Sequence, residues 1–122
     1  MISPPGASRL VFKVMTSEDC AAARLSGAYG GSADDLRDGF IHLSAPHQLA
    51  GTLAKHYRGR ANLILVAFDA GDLGGALQWE VSRGGDLFPH LYAPLPMHHA
   101  LWQRPLDLDA EGVPRAGKDW LT

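Results

Sequence analysis

Apolar and polar positions alternate over residues 9–15, where Leu10, Phe12 and Val14 oppose Val11, Lys13 and Met15. That period of two predicts a strand with Lys13 on the face away from Phe12. The pattern changes at Thr16 and Ser17, which precede Glu18 and Asp19. A hydroxyl cap and an acidic first turn predict a helix over 17–25, stopped by Gly27. Residues 27–39 are rich in glycine and acids and read as a loop of functional length, with a weak helical turn over 33–37. Residues 40–43 predict a short strand, and Ser44 is placed to cap a helix over 45–57. In that helix Leu49, Leu53, His56 and Tyr57 recur at helical spacing while Gln48, Thr52 and Lys55 face outward.

Residues 62–68 are apolar at both parities, as in a strand covered on both sides. After a turn over 69–72, residues 77–81 alternate again, with Leu77, Trp79 and Val81 on one face and Gln78 and Glu80 on the other. Arg83-Gly84-Gly85-Asp86 reverses the chain. Residues 87–96 contain Pro89, Pro94 and Pro96, which predicts an extended edge or a clamp lining a cleft rather than a central ladder. A last strand spans 101–108. Strands interleaved with about two helices predict an α+β fold. The expected organisation is a single domain over 1–122, with its core over about 9–108, a flexible N-terminal segment over 1–8 and a flexible C-terminal tail over 109–122 that frays except where Trp120 docks.

Composition narrows the function classes. A chain of 122 residues buries roughly two-thirds of its unfolded surface, enough for one core without staples. The longest apolar run, 63–68, is far short of a bilayer-spanning helix, and the first residues lack the basic and apolar regions of an export signal. The cytoplasm is therefore the expected location, with no membrane partner. Cys20 is the only cysteine, which excludes an internal disulfide and predicts a buried, inert thiol. A net charge of −2 and a pI near 6.3 exclude a broad nucleic-acid surface. Lys13, Arg24, Arg37, Lys55, Arg58, Arg60, Arg83 and Arg104 are scattered among acids, and a few of them can still converge on a small anionic ligand.

Candidate chemistry concentrates in two histidine segments. In the strand around residue 42, Phe40, His42 and Ser44 share a face. His42 can position a hydroxyl or shuttle a proton, and Ser44 can donate to a phosphate beside the N-terminus of the next helix. Glu80, flanked by residues that favour burial, can orient an imidazole or stabilise a developing cation. His90 and Tyr92 share a face in an extended segment stiffened by prolines. There is no Gly-rich phosphate loop, no Gly-x-Ser-x-Gly elbow and no His-Glu-x-x-His, and no metal site is expected. Two other readings stay open at this level: a two-histidine phosphodiesterase using His42 and His90, and a non-catalytic interaction domain in which the histidines are hydrogen-bonded core residues.

Asp38-Gly39-Phe40-Ile41-His42-Leu43-Ser44, Leu77-Gln78-Trp79-Glu80 and Phe88-Pro89-His90-Leu91-Tyr92-Ala93-Pro94-Leu95, in this order, closely resemble the bacterial family catalogued as domain of unknown function 952. The resemblance runs over about 9–105. It implies an ADP-ribosyltransferase-like fold, a split and mostly antiparallel sheet that in its enzymes holds NAD between the two halves. Residues 39–70 are also similar to the RNA 2′-phosphotransferases. The resemblance implies binding of NAD, ADP-ribose or another phosphorylated ligand, extending to ADP-ribosyl or phosphoryl transfer. His42, Glu80 and His90 would then be the catalytic candidates, and Lys13, Ser44, Arg83 and Tyr92 the ligand-binding ones. Members of the family usually have a histidine in the first strand where this chain has Lys13, and the late glutamate of the transferases would fall near Pro89 or His90, where no carboxylate stands.

Overall fold

Residues 9–121 are described by the computed structural model, Arg83 by its backbone alone; the segment expected to be flexible over 1–8 and the last residue of the tail lie outside the described residues. The first half of the chain contains β1 (Leu10–Thr16), α1 (Ser17–Ser26), β2 (Ala28–Tyr29), α2 (Ala33–Asp38), β3 (Ile41–His42) and α3 (Pro46–His56). The second half has strands and no α-helix: β4 (Leu63–Asp69), β5 (Leu77–Val81), β6 (Leu87–Leu91), β7 (Leu95–Pro96), β8 (Trp102–Leu108) and β9 (Pro114–Arg115), among the described residues. Short 3-10 turns cover Ala70–Ala76, Arg83–Gly85, Met97–His99 and Lys118–Leu121.

The doubly apolar pattern of β4 has the expected consequence. β4 lies inside an antiparallel sheet of order β1-β4-β8-β9, and Leu65, Val66, Ala67 and Phe68 are fully buried. Pairing Val11 with Phe68 and Lys13 with Val66 puts those four side chains on one face, where Cys20 and Ala23 of α1 cover it. Phe12, Val14 and Leu65 occupy the other face, under Leu49 and Leu53 of α3. Lys13 therefore enters the core on the α1 side, between Val11 and Met15. Cys20 is buried there, and burial pushes its thiol pKa up.

A second antiparallel sheet has the order β3-β6-β5, and β2 pairs with β7. The two larger sheets meet where Phe12 N–H donates to the Ser44 carbonyl at 2.9 Å and Ser44 N–H donates to the Phe12 carbonyl at 3.0 Å. This is an α+β fold with antiparallel sheets. Among the described residues no helix is long and apolar enough to cross a membrane.

Four local expectations need correction. The weak turn over 33–37 is a complete third helix, because Ser32 and Asp35 close a capping box at its start. Gly39 ends it with φ of 85°, a left-handed conformation that glycine adopts without the Cβ penalty. β6, expected at an edge or as a clamp, is the middle strand of its sheet. It tolerates Pro89 because the Pro89 carbonyl points toward β3, accepting from Leu43 N–H at 3.0 Å. The missing N–H falls on that same side, opposite Leu43 where the pairing with β3 ends, and the ladder to β5 is uninterrupted.

Ser44 does not cap α3. Its hydroxyl lies 3.2 Å from the Thr52 hydroxyl. The free N–H of Ala45 is instead bound by Gln48 Oε1 at 3.0 Å, so Gln48, expected to face outward, is buried. Its amide nitrogen also donates to Asp86 at 2.9 Å and to the Leu87 carbonyl at 2.6 Å, tying α3 to the start of β6. Beyond β8, Asp109 accepts from the N–H groups of Glu111 and Val113 and turns the chain back into β9, while Trp120 packs edge-on against Trp102.

Because the buried Gln48 amide bonds the Ala45 N–H, Asp86 and the Leu87 carbonyl while Ser44 Oγ meets only one hydroxyl, the two should respond differently to truncation. Gln48→Ala is expected to lower unfolding free energy by about 1–3 kcal/mol, and Ser44→Ala by less than about 1 kcal/mol. Urea titration of both variants checks this; a larger loss for Ser44→Ala would restore it as the cap.

Candidate functional site

The site grows from the capping box of α2. An acid at the third helical position is ordinarily exposed, but Asp35 is 2% exposed because Gly31 lets the chain fold tightly over it. Gly31 has φ of +121°, and a Cβ there would stand 2.9 Å from the Asp35 Cβ. Buried this way, the carboxylate needs donors on both oxygens. Oδ2 accepts from Ser32 N–H at 2.9 Å and pairs with the Lys13 ammonium at 2.9 Å. Oδ1 accepts from His42 N–H at 3.0 Å and lies 2.6 Å from His42 Nδ1. Lys13 also donates to the His42 carbonyl at 2.9 Å.

One carboxylate thus joins β1, α2 and β3. Burial alone would raise its pKa, but the His42 ring, the Lys13 ammonium and the N–H groups of Ser32 and His42 outweigh that and hold it well below the usual carboxylate range. For Lys13 burial pulls the pKa down, and Asp35 pulls it partly back.

His42 is the more open histidine, with 37% of its side chain exposed. Its second nitrogen, Nε2, lies 2.9 Å from Asp38 at the end of α2. Arg37 binds the same Asp38 at 2.9 Å and Asp34 at 3.1 Å. The β3–β6 register sets His42 opposite His90, with ring centroids 5.7 Å apart. Phe40 fills the space beside them, stacked on His90 at 4.0 Å and tilted against His42 at 4.6 Å.

His90 is itself buried and held from behind. Glu80 stands opposite Phe88 on β5 and reaches diagonally to His90, its Oε1 lying 2.8 Å from Nδ1. The same oxygen accepts from the Tyr92 hydroxyl at 2.6 Å. These contacts, Tyr92 first and His90 second, lower the Glu80 pKa.

Lys13, His42, Ser44 and His90 all border one cleft of about 650 Å³ between α2, α3 and the two sheets. Asp35, Asp38, Lys55 and Arg60 line it as well. Glu80 and Tyr92 do not; they brace His90 from its far side. The side chain of Arg83 lies outside the described residues, though its neighbours Ser82 and Gly84 are on the cleft wall. Among the described residues no group of three or more His, Cys, Asp or Glu side chains is arranged to hold a metal ion.

Sequence reasoning missed Asp35 and Asp38 as parts of this site, and it did not single out Lys55 and Arg60 from the other scattered cations. The Ser32-x-x-Asp35 spacing was the available signal for a capped helix, yet nothing in it discloses a second use of the carboxylate by Lys13 and His42.

The depressed pKa of Asp35 has a defined pH signature. The unfolded carboxyl titrates near about pH 3.9 and the folded one lower, so the stabilisation is complete above that value and is lost as pH falls through the folded pKa. Asp35→Asn leaves Lys13 buried without its carboxylate and is expected to cost about 3–5 kcal/mol at neutral pH. The gap from the parent protein should narrow below about pH 4. Chemical denaturation at pH 7, 5 and 3 measures it; a gap independent of pH would contradict the assignment.

Comparison with known proteins follows the same boundaries. No curated protein matches the chain. The crystal structure of protein CC0527 from Caulobacter crescentus is 51% identical, superposes with a TM-score of 0.85, and is matched over 87% of this chain and 93% of that one. The solution NMR structure of CC0527 is similar at 50% identity and a TM-score of 0.81, over 88% of this chain and 93% of that one. The family described as "Protein of unknown function (DUF952)" matches residues 14–103, which span β1 to β8 and hold nearly every residue of the cleft, and the chain belongs to that family.

Proposed function

We propose that the cleft binds a small phosphorylated ligand of the nucleotide class, with NAD and ADP-ribose as the candidates. The observation that carries this reading is the balance of charge on the cleft wall. Its carboxylates are all committed: Asp34 to Arg37, Asp35 to Lys13 and His42, Asp38 to Arg37 and His42. Lys55 and Arg60 line the same cleft and form no ion pair among the described residues; Arg60 lies over the Tyr57 ring at 5.1 Å. A concave site with surplus positive charge and low-dielectric walls concentrates anions. A volume of about 650 Å³ falls within the range of small-molecule sites.

In this reading Lys13, with its ammonium engaged by Asp35, is a positioning residue for His42 rather than a phosphate ligand. His42, His90 and the Glu80 behind it are the groups available for ADP-ribosyl or phosphoryl transfer, and the protein works in the cytoplasm. A second reading, acid–base cleavage of a phosphodiester by the two histidines, is favoured by their ring separation of 5.7 Å.

Calorimetric titration with ADP-ribose and NAD tests the binding. Binding is expected to weaken with added salt and to fall about a hundredfold or more in the double variant Lys55→Ala, Arg60→Ala, each charged contact being worth about 1.5 kcal/mol or more. Affinity unchanged by the double variant would remove the basis of the proposal. Nicotinamide release from NAD that is lost in His42→Ala would extend it to transfer, whereas diester cleavage without NAD would select the second reading.

A further inference from the structure

The two carboxylate-bound histidines of the cleft are not equivalent. His42 has both nitrogens against carboxylates, Nδ1 at 2.6 Å from Asp35 and Nε2 at 2.9 Å from Asp38. His90 has only Nδ1 engaged, at 2.8 Å from Glu80. An ionised carboxylate accepts and cannot donate, so Nδ1 of His90 carries the hydrogen. The Tyr92 hydroxyl donating to the same oxygen at 2.6 Å keeps Glu80 in place as the acceptor. In the neutral ring this leaves Nε2 with a lone pair and no partner among the described residues.

That nitrogen is not sealed in the core. The residue is only 5% exposed, yet among the described residues the sole fully buried side-chain nitrogen or oxygen without a partner is Trp79 Nε1. Nε2 of His90 therefore reaches open space, and the space that His90 borders is the cleft. Phe40 stacked on the ring at 4.0 Å fixes its plane. The site thus presents a fixed acceptor at one place on its wall and unpaired cations, Lys55 and Arg60, elsewhere on it.

We infer that His90 Nε2 accepts a hydrogen bond from a hydroxyl of the ligand, so that the cleft selects a phosphorylated ribose or related polyol phosphate over a phosphate ester without hydroxyls. This rests on the anion-binding reading and adds the second half of the ligand. A phosphate dianion has no hydrogen to offer the lone pair, whereas a sugar hydroxyl does, and a site built to bond a hydroxyl rejects an analogue lacking it. His42, with both nitrogens engaged, cannot take this role without first releasing Asp38. Glu80 and Tyr92 act through His90 as positioning residues.

The test compares ribose 5-phosphate with n-butyl phosphate, of equal charge and without hydroxyls, by calorimetry at pH 8 on the parent protein and on His90→Phe, which keeps a ring against Phe40. The parent is expected to prefer ribose 5-phosphate by about tenfold, one charge-free hydrogen bond's worth. His90→Phe should reduce that preference to within about twofold, through weaker binding of ribose 5-phosphate. A preference retained in His90→Phe, or absent from the parent while both phosphates bind, overturns the role of His90 and leaves the anion site standing. Binding of neither phosphate removes the anion site and this inference with it. Histidine-resolved nitrogen NMR of the free parent protein needs no variant: an Nδ1–H tautomer at His90 is expected, and an Nε2–H tautomer contradicts the inference whatever the phosphates do.

Discussion

A buried carboxylate must be satisfied or it unfolds what surrounds it, and much of this molecule is arranged to satisfy Asp35. Its donors come from β1 through Lys13, from the start of α2 through Ser32, and from β3 through both the backbone and the ring of His42. An ionised group this deep costs several kcal/mol to desolvate, recovered only when all its partners are in place together. The seam between the two larger sheets, otherwise carried by the paired Phe12 and Ser44 backbones, is therefore reinforced by an interaction that tolerates little displacement.

That constraint explains the character of the cleft. His42 cannot swing, because Asp35 holds its backbone and its ring at once, and Lys13 holds its carbonyl. Opposite it, the β5–β6 register lets Glu80 fix His90 from outside the cleft. The acids that give α2 its negative start and end are consumed by this network and by Arg37, so among the described residues the charge on the wall without an ion pair is that of Lys55 and Arg60, on and just after α3. A segment rich in acids thus leaves no uncommitted carboxylate on the cleft wall among the described residues.

The period-two and helical patterns were sufficient to read β1, α1, β4, β5 and β8 to within a residue or two, since each buries a face whose composition is local. What escaped was set by pairing at a distance. Pro89 fits a central strand because its missing N–H faces the end of the short β3 pairing and not the β5 ladder. Gln48 was read as solvent-facing because its partners, Ala45, Asp86 and Leu87, come together only after β6 has been laid down. The candidate site was legible in its histidines, whose setting in apolar strands is unusual, and in the nearby Glu80, but the sequence did not say that Glu80 would stand behind His90. Asp35 was hidden among other acids of a glycine-rich loop. Lys13 was recognisable as an oddity in an apolar strand, while its use as an internal counter-ion depended on where α2 would come to rest.

The family and the CC0527 structures extend the fold to relatives without supplying a chemistry, so the central claim, that the cleft organised by Asp35 is a ligand site, rests on its own geometry. Backbone and histidine-ring NMR shifts recorded during a titration with ADP-ribose test it most directly. The account predicts saturable shifts concentrated at His42, His90, Lys55 and Arg60. Shifts confined to the separate groove between α3 and β9, around Leu53 and Ala116, or no saturable shifts at millimolar ligand, would contradict it.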